Sequence, residues 1–198
     1  MARWEPDARQ RLQQAAMELF AERGYADVTI AEIADRAGLT KRTFFNHFAD
    51  KREVLFAGAQ AFETSVVRHL TEAGDGLSPI DSVLAALTRA GLGLAQYGEF
   101  ALARRELIAS TPDLQERDLI KMASLAVTIA NTLRGRGVPD RIATFTAQAA
   151  VTAFTVAYDD WTEDTTVDFP VLMRQALSDL RHATCGAQAD REPPGQER

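Results

Sequence analysis

Between residues 41 and 47 the sequence KRTFFNH places an ammonium (Lys41), a guanidinium (Arg42), a hydroxyl (Thr43), a carboxamide (Asn46) and an imidazole (His47) within two helical turns, with Phe45 among them. On a helix Phe44 and Phe48, four apart, share one face, and the other side chains point away from it. Those groups match the hydrogen-bonding edges of nucleic acids: a guanidinium pairs bidentately with guanine, a carboxamide with adenine, and an ammonium neutralises a phosphate. The face suits the major groove of a duplex. Arg42 is therefore the candidate for base readout, with a plain phosphate contact as its alternative. Asn46 would bond adenine or a backbone oxygen, Thr43 a phosphate or a thymine methyl, and Lys41 and Lys51 phosphates. His47 would donate to a phosphate in either protonation state.

The flanking residues position this face. Thr29 reads as an N-cap, Glu32 closes a capping box with it, and Val28 can staple onto Ile33. Ile30, Ile33, Ala34 and Ala37 follow at helical spacing, and Gly38 stands where a left-handed residue ends the helix. Leu39 and Thr40 repeat the entry signal, with Thr40 as N-cap and Leu39 able to pack on Phe44. Free amides at helix starts also favour a phosphate, so Thr29 and Thr40 cap, contact DNA, or do both.

Taken with the preceding amphipathic helix ending ELFAERGYADVTI and the run IADRAGLTKRTFFNHFADKREVL, this stretch closely resembles the TetR family of transcriptional regulators, most densely from Arg9 to Phe56. The resemblance implies a three-helix DNA-binding domain and a helical carboxy-terminal domain that binds a small effector and dimerises. It implies a protein that is not an enzyme: a regulator, most often a repressor, that binds palindromic operator DNA as a homodimer and is released by ligand. Lys51 matches the family's recurrent phosphate lysine. Phe45 departs from the pattern, since the family usually has a tyrosine there with its hydroxyl on a phosphate. That departure keeps a second reading open, a homodimeric ligand-binding protein with weakened or lost DNA binding. TFFNHF and the later helices are also somewhat similar to the subgroup associated with acyl-CoA-like or mycofactocin-linked ligands, which points to an apolar or amphipathic effector.

The fold class expected is all-α, with nine helices at about 7–23, 29–37, 41–47, 51–73, 79–97, 99–109, 112–134, 139–161 and 168–183. The expected domains are 1–50 for DNA, 51–185 for effector and dimerisation, and an unstructured tail, 186–198, that lacks apolar content. Asp50 and Glu53 are expected to cap the long fourth helix, and a small pivot of that helix would misalign two readers that must enter grooves about 34 Å apart. Residues 142–161 are apolar or small nearly all round, with no charge between Arg141 and Asp159, so that helix needs cover on both sides. A second subunit, meeting it and the helix 168–183, would supply the cover, the alternative being that both helices lie at the centre of a monomer's core. For the effector, Tyr97, Phe100, Arg104, Met122, Phe154 and Tyr158 combine apolar surface with a few polar ends. Gly91, Gly93 and Gly98 suggest close packing or a flexible pocket wall.

Composition sets the bounds. The 198 residues are 46% hydrophobic and 25% charged, with a formal charge of −6. Residues 1–55 hold nine basic and nine acidic side chains, so the charge lies entirely in the remainder and steering toward DNA is modest. Cys185 is the sole cysteine, His69 and His182 have no partners at metal-ligand spacing, and no nucleophile–base pair or phosphate loop stands out. No cofactor or metal is expected. No apolar run reaches the length of a membrane span, and a cytoplasmic location is expected.

Overall fold

The computed structural model describes residues 7–74 and 76–184, and all of these side chains except those of 95–99. The first helix, α1 (Ala8–Arg23), starts on Asp7, whose carboxylate accepts from the Arg9 amide at 3.2 Å, and stops at Gly24 with φ +80°. Its buried side, including Leu12, Ala16, Leu19 and Phe20, closes a small core with α2 (Ile30–Arg36) and α3 (Lys41–His47) through Ile33, Phe44 and Phe48. The capping box forms: Thr29 Oγ1 accepts from the Glu32 amide at 3.3 Å, and the Glu32 carboxylate accepts from the Thr29 amide at 2.8 Å. Gly38 turns the chain at φ +65°, and a β-carbon there would lie 2.9 Å from Arg11 Nη2. The positive φ is what favours glycine, since the Arg11 guanidinium ends a flexible side chain and could shift aside.

The expected helix over 51–73 is a correction. Arg52–Val54 is a single 3-10 turn, residues 55–58 form turns, and α4 runs only over Ala59–Thr71. Asp50 does cap, accepting from the Arg52 and Glu53 amides at 2.9 and 3.1 Å, but Glu53 turns away toward a distant helix. Val54, Leu55 and Phe56 are all buried in the amino-terminal core. Three consecutive buried side chains span too wide an arc for a helix buried on one stripe.

The second correction concerns 79–97. Ser78 caps α5 (Pro79–Gly91), with the Asp81 amide donating to its hydroxyl at 3.3 Å, but from Leu92 to Tyr97 the chain tightens into a 3-10 helix. Gly91 lies against α9 (Phe169–Thr184): a β-carbon there would sit 2.3 Å from Phe169 Cε1. Gly93 has open space, so close packing accounts for one of the two glycines. Gly98 opens α6 (Gly98–Ser110); its side of the question, like the Tyr97 side chain and the tail 186–198, lies outside what is described.

A helical bundle forms the larger core. Val66 and Leu70 of α4, Val83 and Leu87 of α5, Leu125, Ile129 and Leu133 of α7 (Pro112–Gly135), and Phe154 of α8 (Asp140–Glu163) pack with Phe169 and Met173. The inward side of α8 is Ala143, Ala147, Ala150 and Ala157, which lets its neighbours approach closely. Its outward side exposes Ile142 (49%), Phe145 (65%) and Val156 (48%). Thr152 and Thr155 return their hydroxyls to the carbonyls of Gln148 and Val151 at 3.0 Å, leaving methyls outward. On α9, Val171 is likewise exposed, at 44%. Among the described residues there is no strand, and no helix is long and apolar enough to cross a membrane.

Candidate nucleic-acid interface

Phe44 and Phe48 are buried against each other with ring centroids 5.5 Å apart, which fixes the roll of α3 about its axis. Lys41, Arg42, Phe45 and Asn46 are thereby exposed, in two ridges at i,i+4 spacing: Lys41 with Phe45, and Arg42 with Asn46. Among the described residues no hydrogen bond or ion pair engages Lys41, Arg42 or Asn46. Thr43 and His47 sit at the edges, half-buried. Phe45, 55% exposed, stacks edge-on against Phe44 at 5.6 Å.

The two capping threonines differ. Thr29 donates its hydroxyl proton to Glu32 at 2.7 Å while accepting from the Glu32 amide, so capping uses both its functions. Glu32, held also by Arg23 at 2.9 Å, has its pKa lowered to about 2, first by the Thr29 hydroxyl, then by the Thr29 amide and Arg23. Thr40 accepts from the Thr43 amide at 3.1 Å and shares a proton with the Thr43 hydroxyl at 2.9 Å, so one proton of that pair is left to donate outward. Several acidic side chains of this unit are occupied too. Glu18 and Glu22 pair with Arg36, and Asp50 pairs with Arg52 at 2.8 Å. A formally neutral unit thus presents one exposed cation on each ridge, Lys41 and Arg42.

Lys51 is turned inward. Its Nζ donates to the carbonyl oxygens of Tyr25 at 2.6 Å and Val28 at 2.8 Å, and stands 4.1 Å from the centroid of the Tyr25 ring. Partial burial lowers its pKa, against the nearby Asp27 carboxylate. A phosphate contact is left to the one remaining N–H. Arg9 plays a similar part that the sequence did not announce, donating to Ala57 O at 2.8 Å and His47 O at 3.4 Å with its guanidinium 4.8 Å from the Phe48 centroid. Arg11 donates to the Ala37 carbonyl at the end of α2. Neither has a local spacing that would reveal its partner.

The six effector candidates do not form one set. Phe154 packs on Phe62 at 5.0 Å, Tyr158 at 5.9 Å and Phe169 at 6.0 Å, and Met122 borders the same core. Burial raises the Tyr158 phenol's pKa. Phe100 instead packs against the amino-terminal core, because α6 leans its other face on that domain. Arg104 likewise reaches the reader side, donating to Leu55 O at 2.8 Å. No His, Cys, Asp or Glu cluster suited to a metal occurs among the described residues.

Comparison with known proteins agrees with this layout. Residues 12–57 match the family described as bacterial regulatory proteins, tetR family, and residues 77–184 match the MftR C-terminal domain. The chain is 30% identical over 135 residues to the transcriptional regulator TcmR of Streptomyces glaucescens, a match covering 65% of this chain and 59% of that protein. It is 29% identical over 166 residues to a protein of Mycobacterium tuberculosis named as the mycofactocin biosynthesis transcriptional regulator MftR, covering 77% and 78%. FadR of Thermus thermophilus in complex with lauroyl-CoA shares the fold at a TM-score of 0.53 and 24% identity, over 96% of this chain and 100% of that one.

Proposed function

From one premise, that the chain belongs to the TetR family of bacterial regulatory proteins, we propose that it binds a palindromic operator as a homodimer and that a small apolar or amphipathic effector releases it. It is a transcriptional regulator, not an enzyme. The observation that carries the DNA reading is the pair of ridges on α3, in which Lys41, Arg42 and Asn46 stand outward on a fixed helix with no protein partner among the described residues. Arg42 reads a base, Asn46 a base or phosphate, and Lys41 and the Thr40–Thr43 hydroxyl pair hold phosphates. His47 and the Phe45 ring border the same groove. Selection of bound duplexes from a random pool tests this. On the selected site, Arg42→Ala should cost about 1–3 kcal/mol at the affected base pair and less on random DNA. Equal losses on both would remove Arg42 from base readout.

The dimer would form where α8 and α9 leave Ile142, Phe145, Val156 and Val171 uncovered, an isologous surface of the kind that closes a twofold pair. Two α3 helices would then enter grooves about 34 Å apart. The effector would enter among the aromatic rings of Phe62, Phe154, Tyr158 and Trp161, an apolar lining with a phenol as its polar end. The lauroyl-CoA carried by the fold relative makes lauroyl-CoA the first probe for a thermal-shift panel. A response only to very polar ligands would count against this reading. Phe45 favours the second reading, a ligand-binding dimer weak on DNA, because its ring supplies no hydroxyl for a phosphate. Absence of salt-dependent binding to mixed duplex at low ionic strength would establish it.

A further inference from the structure

Between Phe48 and Ala59 the backbone is a bend, one 3-10 turn and further turns, so α4 is not a continuous rod into the DNA-binding unit. Other elements hold that unit. Leu114, in the first turn of α7, is fully buried in the amino-terminal core, and Phe100, Leu107 and Ile108 of α6 pack against it. Farther along the same α7, Leu125, Ile129 and Leu133 belong to the bundle core. One rigid helix thus has an end in each core.

Two charged side chains reinforce this arrangement at the bend. Arg104 of α6 donates from Nε to the Leu55 carbonyl at 2.8 Å, lies 5.1 Å over the Phe56 ring and sets Nη2 3.5 Å from the Asp118 carboxylate of α7. Glu53, in the 3-10 turn, accepts from Arg117 Nε at 2.6 Å and from Lys121 Nζ at 3.1 Å, both on α7. The Glu53 and Arg104 side chains are only 18% and 26% exposed, so solvent screens these contacts less than surface pairs. In the bundle core the Tyr158 ring of α8 stacks on Phe154.

We propose that Arg104 and Glu53 are positioning residues that fasten the DNA-binding unit to α6 and α7, so that a change in the bundle's aromatic core reaches α3 through these two helices rather than by a pivot of α4. The proposal deepens the regulator reading and rests on it for its biological meaning, but its geometry stands without DNA. A ligand that displaces the Phe154–Tyr158 stack of α8 shifts α6 and α7, which pack on that helix, and Arg104 and Glu53 carry the shift to Leu55 and Phe56 at the base of the reader.

Hydrogen exchange on the purified full chain, free of DNA, tests this. Arg104→Met and Glu53→Gln should each speed amide exchange over 52–58 by about tenfold, and the double variant by more, with 143–157 of α8 unchanged. Arg104→Lys should restore only part of the protection, because an ammonium lacks the planar fork that reaches Leu55 and Asp118 together. The decisive measurement is transmission. Phe154→Leu should speed exchange over 52–58 in the wild-type background and leave it unaltered in Arg104→Met. An equal response in both backgrounds, no response in either, or unchanged 52–58 exchange in the double variant would overturn the proposal. None of these readouts involves a duplex, so failure of the selection experiment would sink the DNA reading alone.

Discussion

Replacing Lys51 with methionine separates a structural lysine from a phosphate lysine. Methionine keeps most of the stem's packing but removes an ammonium that donates to the Tyr25 and Val28 carbonyls at 2.6 and 2.8 Å. A hydrogen bond from a charged donor contributes about 1.5–3 kcal/mol, and the contact over the Tyr25 ring about 0.5–1 kcal/mol. The site is only partly buried, so water recovers some of this at the freed carbonyls, and a net loss of about 2–3 kcal/mol is expected. For a chain of this size that lowers the melting midpoint by roughly 5–10 °C. Thermal unfolding at fixed protein concentration reads it directly. On DNA, measured well below that midpoint, affinity for selected and random duplexes should fall by the same factor, with the salt slope reduced by no more than about one. A stability change under about 0.5 kcal/mol with a full loss of one from the slope would refute the carbonyl tether and return Lys51 to the phosphates.

Three further outcomes follow from other contacts. Glu32 has a folded pKa depressed from 4.5 to about 2, so its contribution is present above pH 4.5 and is lost as pH falls from 4.5 toward 2. Urea midpoints across that window should decline more steeply for the wild type than for Glu32→Gln, and parallel curves would exclude the capping box as the cause. Gly91→Ala should destabilise by about 1–3 kcal/mol through collision with Phe169, whereas Gly93→Ala, in open space, should be neutral or stabilise by up to about 1 kcal/mol. Calorimetry on the two variants that ranked them the other way would contradict the packing of α5 on α9. Phe145→Asp should shift the chain to monomer in light scattering and abolish operator binding while leaving the helix content intact, and an undisturbed dimer would move the interface away from α8.

What the sequence made legible is what neighbours within four residues decide. Thr29 with Glu32, and Thr40, act on amides one turn away, and Gly38 supplies the positive φ that ends α2, so the caps and the turn could be read directly. The outward set on α3 followed from Phe44 and Phe48 alone. Glu53 shows where such reading stops. Its spacing from Asp50 suits a local cap, yet its carboxylate meets Arg117 and Lys121, 64 and 68 residues onward, and no period in the chain encodes that choice. The run Val54-Leu55-Phe56 did hold a signal, since three adjacent apolar residues fit a buried turn better than a one-faced helix, but isolated positions at helical spacing outweighed it. Composition groups Phe100 and Arg104 with Phe154 and Tyr158, whereas α6 serves two cores from two faces. Helix faces can be counted from sequence, but which neighbour each face meets is a tertiary decision. In this chain that decision brings both Arg104 and Glu53 to the bend where the DNA-binding unit joins the bundle.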